Sequence, residues 1–360
     1  MFNQGKNTAN TAVLVSILVK SRRKSVFLKL FRITFPTLKE KKLKITVIGC
    51  GRWGSLIAWY LSSLGHQITL YGRASSARMQ SFLKDRKNDL LTLPDSIALS
   101  TDLSCAAESE ILVISVGAQN LRELLEELSP LQLHEKTVVL CMKGIEIATG
   151  KRLSEIAGEY LAPANRIAVW LGPGHVQEFY AGIPNCMVID SDDSAAKSFL
   201  IEAFSGPLIR FYYGNDLIGN EIGGAAKNVI GIAAGMLDGL GLSSLKGALT
   251  ARGTREISRL IKALGGNELT AYGLCHLGDY GATVFSPYSH NRRFGEAYIK
   301  KEPFDQLAEG YYTVQALLRL AQQHRSELPI CETVYRILFD NAEPQEALEQ
   351  LFTRDLKTEF

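Results

Sequence analysis

The chain of 360 residues, 46% hydrophobic and 21% charged, has the size and composition of a globular enzyme with about two domains. Residues 1–44 carry 11 Lys and Arg against one acidic residue, whereas the remainder has a net charge of −7, and this acidic body argues against nucleic acid as a partner. The six cysteines lie far apart without a C-x-x-C pair, which argues against a disulfide framework and a metal site and favours a reducing compartment.

The first 43 residues form a basic leader that we expect to be disordered or absent from the mature protein. Its apolar run, residues 12–19, is shorter than the roughly 20 residues that span a bilayer, so we expect no stable membrane insertion. Two interpretations stay open: a transit peptide, which would place the protein in the plastid stroma, or upstream sequence translated from a wrong start. An inert basic tail is the third. Without a targeting signal, we expect a cytoplasmic protein.

Strand-like and helix-like segments alternate from Lys44 to about Gly214, and long apolar-periodic helical segments follow. Near-continuous apolar strands separated by helices predict an α/β fold, a doubly wound Rossmann-type N-terminal domain with a mainly parallel sheet. The later segments, at 219–237, 247–264, 305–324 and 329–340, predict an all-helical C-terminal domain. We place the dinucleotide-binding domain at 44–214 and the helical substrate and catalytic domain at 215–360.

The stretch "KITVIGCGRWGS" joins a predicted strand to a predicted helix through a G-x-G-x-x-G turn. In that context Gly49 permits the tight turn, Gly51 lets the backbone approach a pyrophosphate, and Gly54 lets helix and strand pack closely. The helix N-terminus supplies amide donors for the phosphates. The turn therefore predicts a dinucleotide cofactor.

The second strand, "HQITLYGR", ends without the acidic residue that would bind the ribose hydroxyls of NAD. Arg73 stands there instead and could pair with a 2′-phosphate, so the sequence favours NADP(H) and leaves NAD(H) open. The alternative for Arg73 is an ordinary surface arginine.

A buried helix is predicted around Lys227, because only Lys227 and Asn228 are polar between Ile222 and Leu237. Burial lowers the pKa of a lysine and makes the neutral amine accessible, which a general base requires. The alternative is a lysine whose stem snorkels to the surface.

Two other groups of residues suit an anionic substrate. Lys143 and Gly172 each follow a predicted strand, where ligands of doubly wound sheets bind, although Lys143 alone could be a loop lysine. Polar residues also cluster before a helix, which suits a phosphate site or, alternatively, a polar interdomain loop. These residues are Asp279, Thr283, Ser289, His290, Asn291, Arg292 and Arg293.

With these segments in view, the chain resembles the NAD(P)-dependent glycerol-3-phosphate dehydrogenases of the bacterial type, from about Lys44 to Arg354. The motifs "GCGRWGS", "MKGIE", "LGPGH", "GNDLIGNEIGGAAKNVIGIAAGMLDGLG", "GLCHLGDYGATVFSPYSHNRRFG" and "AEGYYTV" come in the family order. The resemblance implies reversible hydride transfer between NAD(P)H and dihydroxyacetone phosphate, a small phosphorylated three-carbon substrate. The product, sn-glycerol 3-phosphate, feeds glycerophospholipid synthesis.

The resemblance also implies roles for individual residues. Lys227 matches the proton acceptor, Lys143 the lysine between substrate and cofactor, and Asp279 the carboxylate that holds base and substrate. The substrate contacts would be Lys143, Gly172, Lys227, Asp279, Ser289, His290 and Asn291. The cofactor contacts would be Gly49, Gly51, Arg52, Trp53, Gly54, Arg73, Lys143, Val176, Leu307 and Glu309.

Two positions depart from the family pattern. Gly174 stands where the family usually has a serine, so a hydroxyl contact to the substrate is missing. His290 stands where the family usually has an arginine that reaches the phosphate. A protonated imidazole is a weaker, pH-dependent substitute, unless Arg292 takes over that contact.

Two other functions stay open at this point. A related NADP-dependent reductase of another small 2-keto or 3-hydroxy acid would keep the fold and change the substrate. A nonenzymatic NADP(H) sensor would keep the nucleotide turn alone, against which the intact Lys227, Lys143 and Asp279 argue. The sequence also leaves the oligomeric state open, with a homodimer as the assembly we consider.

Overall fold

The computed structural model describes residues 42–353, and the chain from Lys42 onward forms one compact unit. The predicted leader, apart from its last two residues, lies outside the described residues, and so does the expectation that it is disordered. Across the described part, no helix is long and apolar enough to cross a bilayer.

One sheet of eight strands forms the N-terminal half. The strands are β1 (Lys44–Ile48), β2 (Gln67–Tyr71), β3 (Ala98–Ser100), β4 (Ile111–Ile114), β5 (Thr137–Leu140), β6 (Arg166–Leu171), β7 (Asn185–Asp190) and β8 (Ile209–Tyr213). Their order is β3-β2-β1-β4-β5-β6-β7-β8, and only β6 and β7 pair antiparallel. From β1 the chain proceeds to β2 and β3 on one side and then crosses to β4 on the other side of β1. The crevice at the carboxyl ends of β1 and β4 is therefore the topological switch point, where ligands of such sheets bind.

Helices cover both faces of the sheet and build the second half. They are α1 (Arg52–Ser63), α2 (Ala77–Asp85), α3 (Leu121–Leu128), α4 (Leu153–Tyr160), α5 (Val176–Tyr180), α6 (Ser194–Phe204), α7 (Leu217–Gly239), α8 (Lys246–Ala263), α9 (Tyr280–Thr283), α10 (His290–Lys300), α11 (Glu309–Gln323), α12 (Pro329–Phe339) and α13 (Pro344–Phe352). All four residues of β4 are buried, as are all four of β5, which explains why these strands read as unbroken apolar runs.

The long helix α7 is the axis of the helical half. Asp216 caps it by accepting a hydrogen bond from the amide of Gly219 (3.0 Å), and every residue from Gly219 to Leu237 is buried. Helices α8, α10, α11 and α12 pack around it. A helix surrounded in this way needs apolar side chains on all sides, which is the pattern that the sequence shows.

The predicted fold class is confirmed: a doubly wound, mainly parallel sheet is followed by helices. The last strand ends at Tyr213 and α7 begins at Leu217, close to the predicted boundary, although the division into two separate domains stays a prediction. Strand β3 and helix α13 were not predicted. The segment predicted from residue 305 becomes helical only at Glu309, since Ala308 is extended.

Candidate active site

A cleft of about 940 Å³ opens at the carboxyl ends of β1, β2 and β4. The turn after β1 forms its floor. Gly49 has a φ of +114°, and a Cβ there would overlap the carbonyl of Ser115, so only glycine fits. A Cβ on Gly54 would overlap the carbonyl of Gly49, whereas Gly51 faces open space. The backbone at Gly51 and the start of α1 therefore form an accessible cradle for phosphates.

Three arginines approach each other along this cleft. Arg52, the first residue of α1, lies with Arg78 and Arg293 among the lining residues. Burial, then Arg78 and Arg293, lower the pKa of Arg52, but a guanidinium stays charged. Positive groups that repel one another in this way are suited to hold an anion between them.

Arg73, the residue predicted to read a 2′-phosphate, lines the cleft at the end of β2. Its guanidinium contacts two carboxylates of α3, Glu123 at 3.0 Å and Glu127 at 2.8 Å. All three side chains are well exposed to solvent. Arg73 is thus a surface arginine that already pairs with two glutamates. A phosphate would have to compete with both carboxylates for its guanidinium.

The three predicted catalytic residues meet at one carboxylate. Lys143, which follows β5, donates to Oδ2 of Asp279 (2.6 Å) and to the carbonyl of Gly172 (2.6 Å). Lys227 of α7 lies 2.8 Å from the same Oδ2 and donates to the hydroxyl of Thr283 (2.7 Å). The other carboxylate oxygen of Asp279, Oδ1, is buried without a partner among the described residues.

Burial dominates the acid–base behaviour of Lys227. Its side chain is only 9% exposed, so it does not snorkel to the surface. Desolvation lowers the pKa of Lys227 to about 8, the nearby Asp279 raises it, and Lys143 lowers it again. The amine is therefore poised to gain or lose a proton near neutral pH, as a general acid–base group must be.

A chain of amides fixes α7 relative to the sheet and to α10. The Asn228 side chain donates to the carbonyl of Lys143 (3.1 Å) and accepts from Asn291 (3.0 Å). The Asn291 side chain in turn accepts from the amide of Gly310 (2.9 Å). Asn291, predicted as a substrate contact, is thus already bonded at both ends of its amide and joins α10 to α7, whereas Asn228 joins α7 to the segment that carries Lys143.

The turn that carries Asp279 is anchored from behind. His276 is fully buried, its Nδ1 is 2.9 Å from the carbonyl of Gly223, and its Nε2 is 2.7 Å from the Tyr280 hydroxyl. Desolvation lowers the pKa of His276 to about 4, so the ring is neutral and serves as a fixed strut. The two contacts of His276 hold the turn in which Asp279 lies 2.8 Å from Lys227.

The phosphate-site candidates at the start of α10 are distributed differently from the prediction. The Ser289 hydroxyl caps the helix by accepting from the amide of Arg292. Arg292 pairs with Asp238 (2.6 Å) and Glu296 (3.0 Å), away from the cleft, so it does not take over the missing phosphate contact. His290 lines the cleft, and its Nε2 contacts the Arg52 guanidinium. Burial and then Arg52 lower the pKa of His290, which disfavours the charged imidazole considered above.

Three of the remaining predicted cofactor contacts line the same cleft, and Val176 does not. Trp53, Leu307 and Glu309 line it, and Leu307 is 55% exposed. Burial raises the pKa of Glu309, the first residue of α11. Val176 is buried at the start of α5 and does not line the cleft.

Several residues of the site were not assigned from the sequence. Thr283 bonds the candidate base, and Asn228 ties it to the sheet. Arg78 lies beside Arg52. Its position at the start of α2, five residues after Arg73, could have indicated from the sequence that it lies near the cofactor. The sequence marks Thr283 only as a member of the polar cluster and Asn228 only as the second polar residue of the buried helix, because their roles depend on contacts across the fold.

The residues present fit a dinucleotide with a 2′-phosphate. The glycine turn offers the pyrophosphate a backbone cradle. Arg73 follows β2, where the adenosine ribose binds in this fold, and Arg78 of α2 lines the same cleft. The lysines and Asp279 are not among the residues that line the large cleft. Their side chains are largely shielded from solvent, with exposures of 20% for Lys143, 9% for Lys227 and 1% for Asp279.

Comparisons with known proteins agree with this geometry. Residues 44–197 match the family model for the N-terminus of NAD-dependent glycerol-3-phosphate dehydrogenase, and residues 216–349 match the model for its C-terminus. The chain is 39% identical over 330 residues to "Glycerol-3-phosphate dehydrogenase [NAD(P)+]" of Thermoanaerobacter sp. (strain X514), covering 88% of this chain and 99% of that protein. It is 36% identical over 339 residues to the protein of the same name from Streptomyces coelicolor, covering 89% and 99%.

Solved structures give the same result. The crystal structure of glycerol-3-phosphate dehydrogenase from Coxiella burnetii matches with a TM-score of 0.82 and 30% identity, over 87% of this chain and 99% of that one. A ketopantoate reductase from Ralstonia eutropha matches with a TM-score of 0.57 and 11% identity, over 85% and 100%. The second likeness extends to the fold alone.

Proposed function

Because the chain belongs to the NAD-dependent glycerol-3-phosphate dehydrogenase family, we propose that it interconverts dihydroxyacetone phosphate and sn-glycerol 3-phosphate through the acid–base pair of Lys227 and Asp279. It is an NAD(P)-dependent oxidoreductase that acts on a small phosphorylated three-carbon substrate. Its product is the backbone of glycerophospholipids. The comparisons support this reaction and neither the reductase of another acid nor the sensor.

One observation carries the assignment of roles: two lysines from different parts of the fold share a single buried oxygen of Asp279. A buried cluster with two positive charges and one negative charge favours an anionic or oxyanionic ligand. It also contains an amine whose pKa is lowered to about 8. Such a cluster stabilises negative charge on the oxygen at C2 and exchanges a proton with it.

When bound, the nicotinamide cofactor donates or accepts the hydride. The other roles belong to side chains of this chain. Lys227 delivers a proton to the C2 oxygen during reduction and accepts it during oxidation. Asp279 orients the Lys227 ammonium, while Lys143 adds positive charge beside the same oxygen. Thr283 holds the amine when it has lost its proton, because a hydroxyl can also donate.

Phosphate binding is assigned to Arg52 and Arg293 rather than to the charged form of His290. Arg52 belongs to the nucleotide turn and contacts His290, so it lies between cofactor and substrate. A neutral His290 orients the Arg52 guanidinium by accepting from it. Ser289 and Asn291 contribute indirectly, by capping α10 and by joining it to α7.

The test is a purified-protein assay that follows the nicotinamide absorbance. We expect NADPH to be oxidised when dihydroxyacetone phosphate is added, and not when 2-keto acids such as ketopantoate replace it. Turnover of a keto acid alone would identify a related reductase instead. NADPH binding without turnover of any substrate would identify a sensor.

We infer further that the enzyme acts as a homodimer in the cytoplasm. The six cysteines are free thiols, as suits a reducing compartment. Large apolar side chains are exposed beside α8, with Leu269 at 68% and Tyr272 at 41%, and such residues favour a contact between subunits. Light scattering on the purified protein tests the dimer, and fractionation of the source cells tests the compartment.

A further inference from the structure

His175 lies in the loop between β6 and α5, three residues after Gly172. Its Nε2 is buried and has no hydrogen-bond partner among the described residues. A buried nitrogen without a partner is unfavourable, because it has lost its hydrogen bonds to water and gained none in the protein. Only four buried side-chain atoms of the described residues are in this state, and a second one, Oδ1 of Asp279, belongs to the candidate catalytic cluster.

The loop that carries the imidazole borders the catalytic cluster. It begins at Gly172, whose carbonyl accepts from Lys143 (2.6 Å), and Tyr288, which packs against the ring, lines the cleft. Burial lowers the pKa of His175 to about 4, and the charges of Lys227, Asp279, Arg52 and Lys143 also affect it. The ring is neutral at physiological pH, so it can donate one hydrogen bond and accept another.

One aromatic residue packs against this ring: Tyr288 lies edge-on to it, with ring centroids 5.5 Å apart. Gly174, the preceding residue, has a φ of +149°, and a Cβ there would overlap the ring of Phe179. No side chain can therefore extend from position 174, and the imidazole of His175 is the polar group that this loop offers to the site.

We propose that His175 binds the C1 hydroxyl of the three-carbon substrate through Nε2 and thereby contributes to substrate specificity. This inference rests on the proposed function. The other polar groups of the substrate already have candidates: Lys227 and Lys143 face the C2 oxygen, and the arginines hold the phosphate. The C1 hydroxyl remains, and a neutral imidazole and a carboxylate oxygen, each without a partner, suit a hydroxyl that both accepts and donates.

The test compares two substrates that differ only at C1. Dihydroxyacetone phosphate has a hydroxyl there, and hydroxyacetone phosphate has a hydrogen in its place. For His175→Phe, which keeps a ring against Tyr288, we expect the ratio of kcat/KM values for the two substrates to fall at least tenfold relative to the wild type. Intrinsic reactivity cancels in this comparison, and a tenfold change corresponds to about 1.4 kcal/mol of discrimination.

Two further variants exclude a merely structural effect. His175→Gln keeps a donor and an acceptor and should recover part of the preference, whereas the surface variant His134→Phe should leave it unchanged. The dissociation constant for NADPH should not change in any of the three. An unchanged ratio in His175→Phe, with the rates for both substrates lowered equally, would overturn the inference. If the wild type reduces neither substrate, the proposed function itself fails.

Discussion

At the scale of single residues, the site depends on a lysine in an environment that penalises its charge. Lys227 is buried, and its pKa is lowered to about 8 even though Asp279 lies 2.8 Å away. Desolvation is the largest cause of the lowered pKa, and the carboxylate offsets it only in part, since Lys143 shares the same oxygen. Competition between two cations for one anion thus keeps the amine able to lose its proton.

Replacement of Lys227 by methionine removes that amine. Lys227→Met keeps the approximate volume of the side chain and should preserve the fold, since Lys143 still neutralises Asp279. General acid–base catalysis contributes roughly 10²- to 10⁴-fold, so we expect kcat to fall by at least that range. NADPH affinity, measured by fluorescence titration, should be nearly unchanged. Lys262→Met, at an exposed lysine, serves as the control. If Lys227→Met retained more than about a tenth of the wild-type turnover, Lys227 would not be the general acid–base group.

The pH dependence follows from the same pKa. Oxidation of glycerol 3-phosphate needs neutral Lys227, so kcat/KM should rise with pH and level off above about 8. Reduction needs the protonated form, so its kcat/KM should decline over the same interval. The second ionisation of a phosphate ester lies near 6, well below this interval. Profiles in both directions check the prediction, which a flat response between about pH 7 and 9 would contradict.

Sequence reasoning reached some of these residues and not others, for physical reasons. Lys227 was visible because it interrupts an otherwise apolar helix. Asp279 received its role only through family resemblance, since nothing local marks one aspartate as the partner of a lysine 52 positions earlier. The environment of the His290 side chain could not be predicted from the sequence. Its pKa is lowered first by burial and then by Arg52, which approaches from the other half of the chain.

At the scale of elements, helix α3 influences the choice of cofactor. Its residues Glu123 and Glu127 hold the Arg73 guanidinium at the place expected for the ribose phosphate. A 2′-phosphate would have to displace these carboxylates and tolerate their negative charge. The pairs are exposed and weak in themselves, so their main effect is electrostatic and depends on ionic strength.

We predict that Glu127→Gln tightens NADPH binding by about threefold to tenfold at low salt and leaves NADH binding nearly unchanged, because only NADPH carries the additional phosphate. Arg73→Ala should do the reverse and weaken NADPH alone. Glu126→Gln is the matched control, since Glu126 lies on the same helix and contacts Tyr160 instead of Arg73. Equal changes for both cofactors would show that Arg73 does not bind the 2′-phosphate.

Elements with strong periodicity or continuous burial were predicted well, and short ones were not. The apolar runs of β4 and β5 and the glycine- and alanine-rich α7 agree with the structure. Strand β3 has three residues and no fully buried side chain, so it gives no apolar signal. It exists because β2 offers it an open edge.

At the scale of the whole molecule, the catalytic cluster is assembled by both halves of the fold. Lys143 comes from the end of a sheet strand, and Lys227 and Asp279 come from the helical half. Arg152 of the sheet half also pairs with the buried Glu221 of α7 at 2.7 Å. The position of α7 against the sheet therefore determines the distance between the two lysines, and the order of motifs along the chain could not reveal that distance.

The N-terminal segment should contribute nothing to this assembly. Strand β1 lies inside the sheet, paired with β2 on one side and β4 on the other, and it is complete from Lys44. Leu43 is buried, and its carbonyl accepts from the amide of Gln67 (2.9 Å). Leu43 and β1 thus supply the pairing that this part of the sheet needs, and residues 1–42 are predicted to be dispensable.

A variant that begins with methionine in place of Leu43 tests this. It loses ten of the 40 Lys and Arg residues and one of the 37 Asp and Glu residues, which changes the net charge from +3 to −6. We expect its kcat, its KM values and its Tm to equal those of the full chain, because no pairing of β1 is removed. A loss of activity or a Tm lowered by several degrees would show that the leader is a working part of the enzyme.

Mass spectrometry of the protein from its natural source then separates the explanations for the leader. A terminus at residue 43 would indicate a start codon at that position, and a terminus between about residues 25 and 42 would indicate a cleaved transit peptide. An intact Met1 together with full activity of the shortened variant would leave an inert tail.

The shortened variant also isolates the effect of charge. Suppose that the ten Lys and Arg residues removed from the chain only add non-specific attraction to anionic surfaces. The full chain should then bind anionic vesicles at low salt and release them at high salt, whereas the shortened variant should bind them under neither condition.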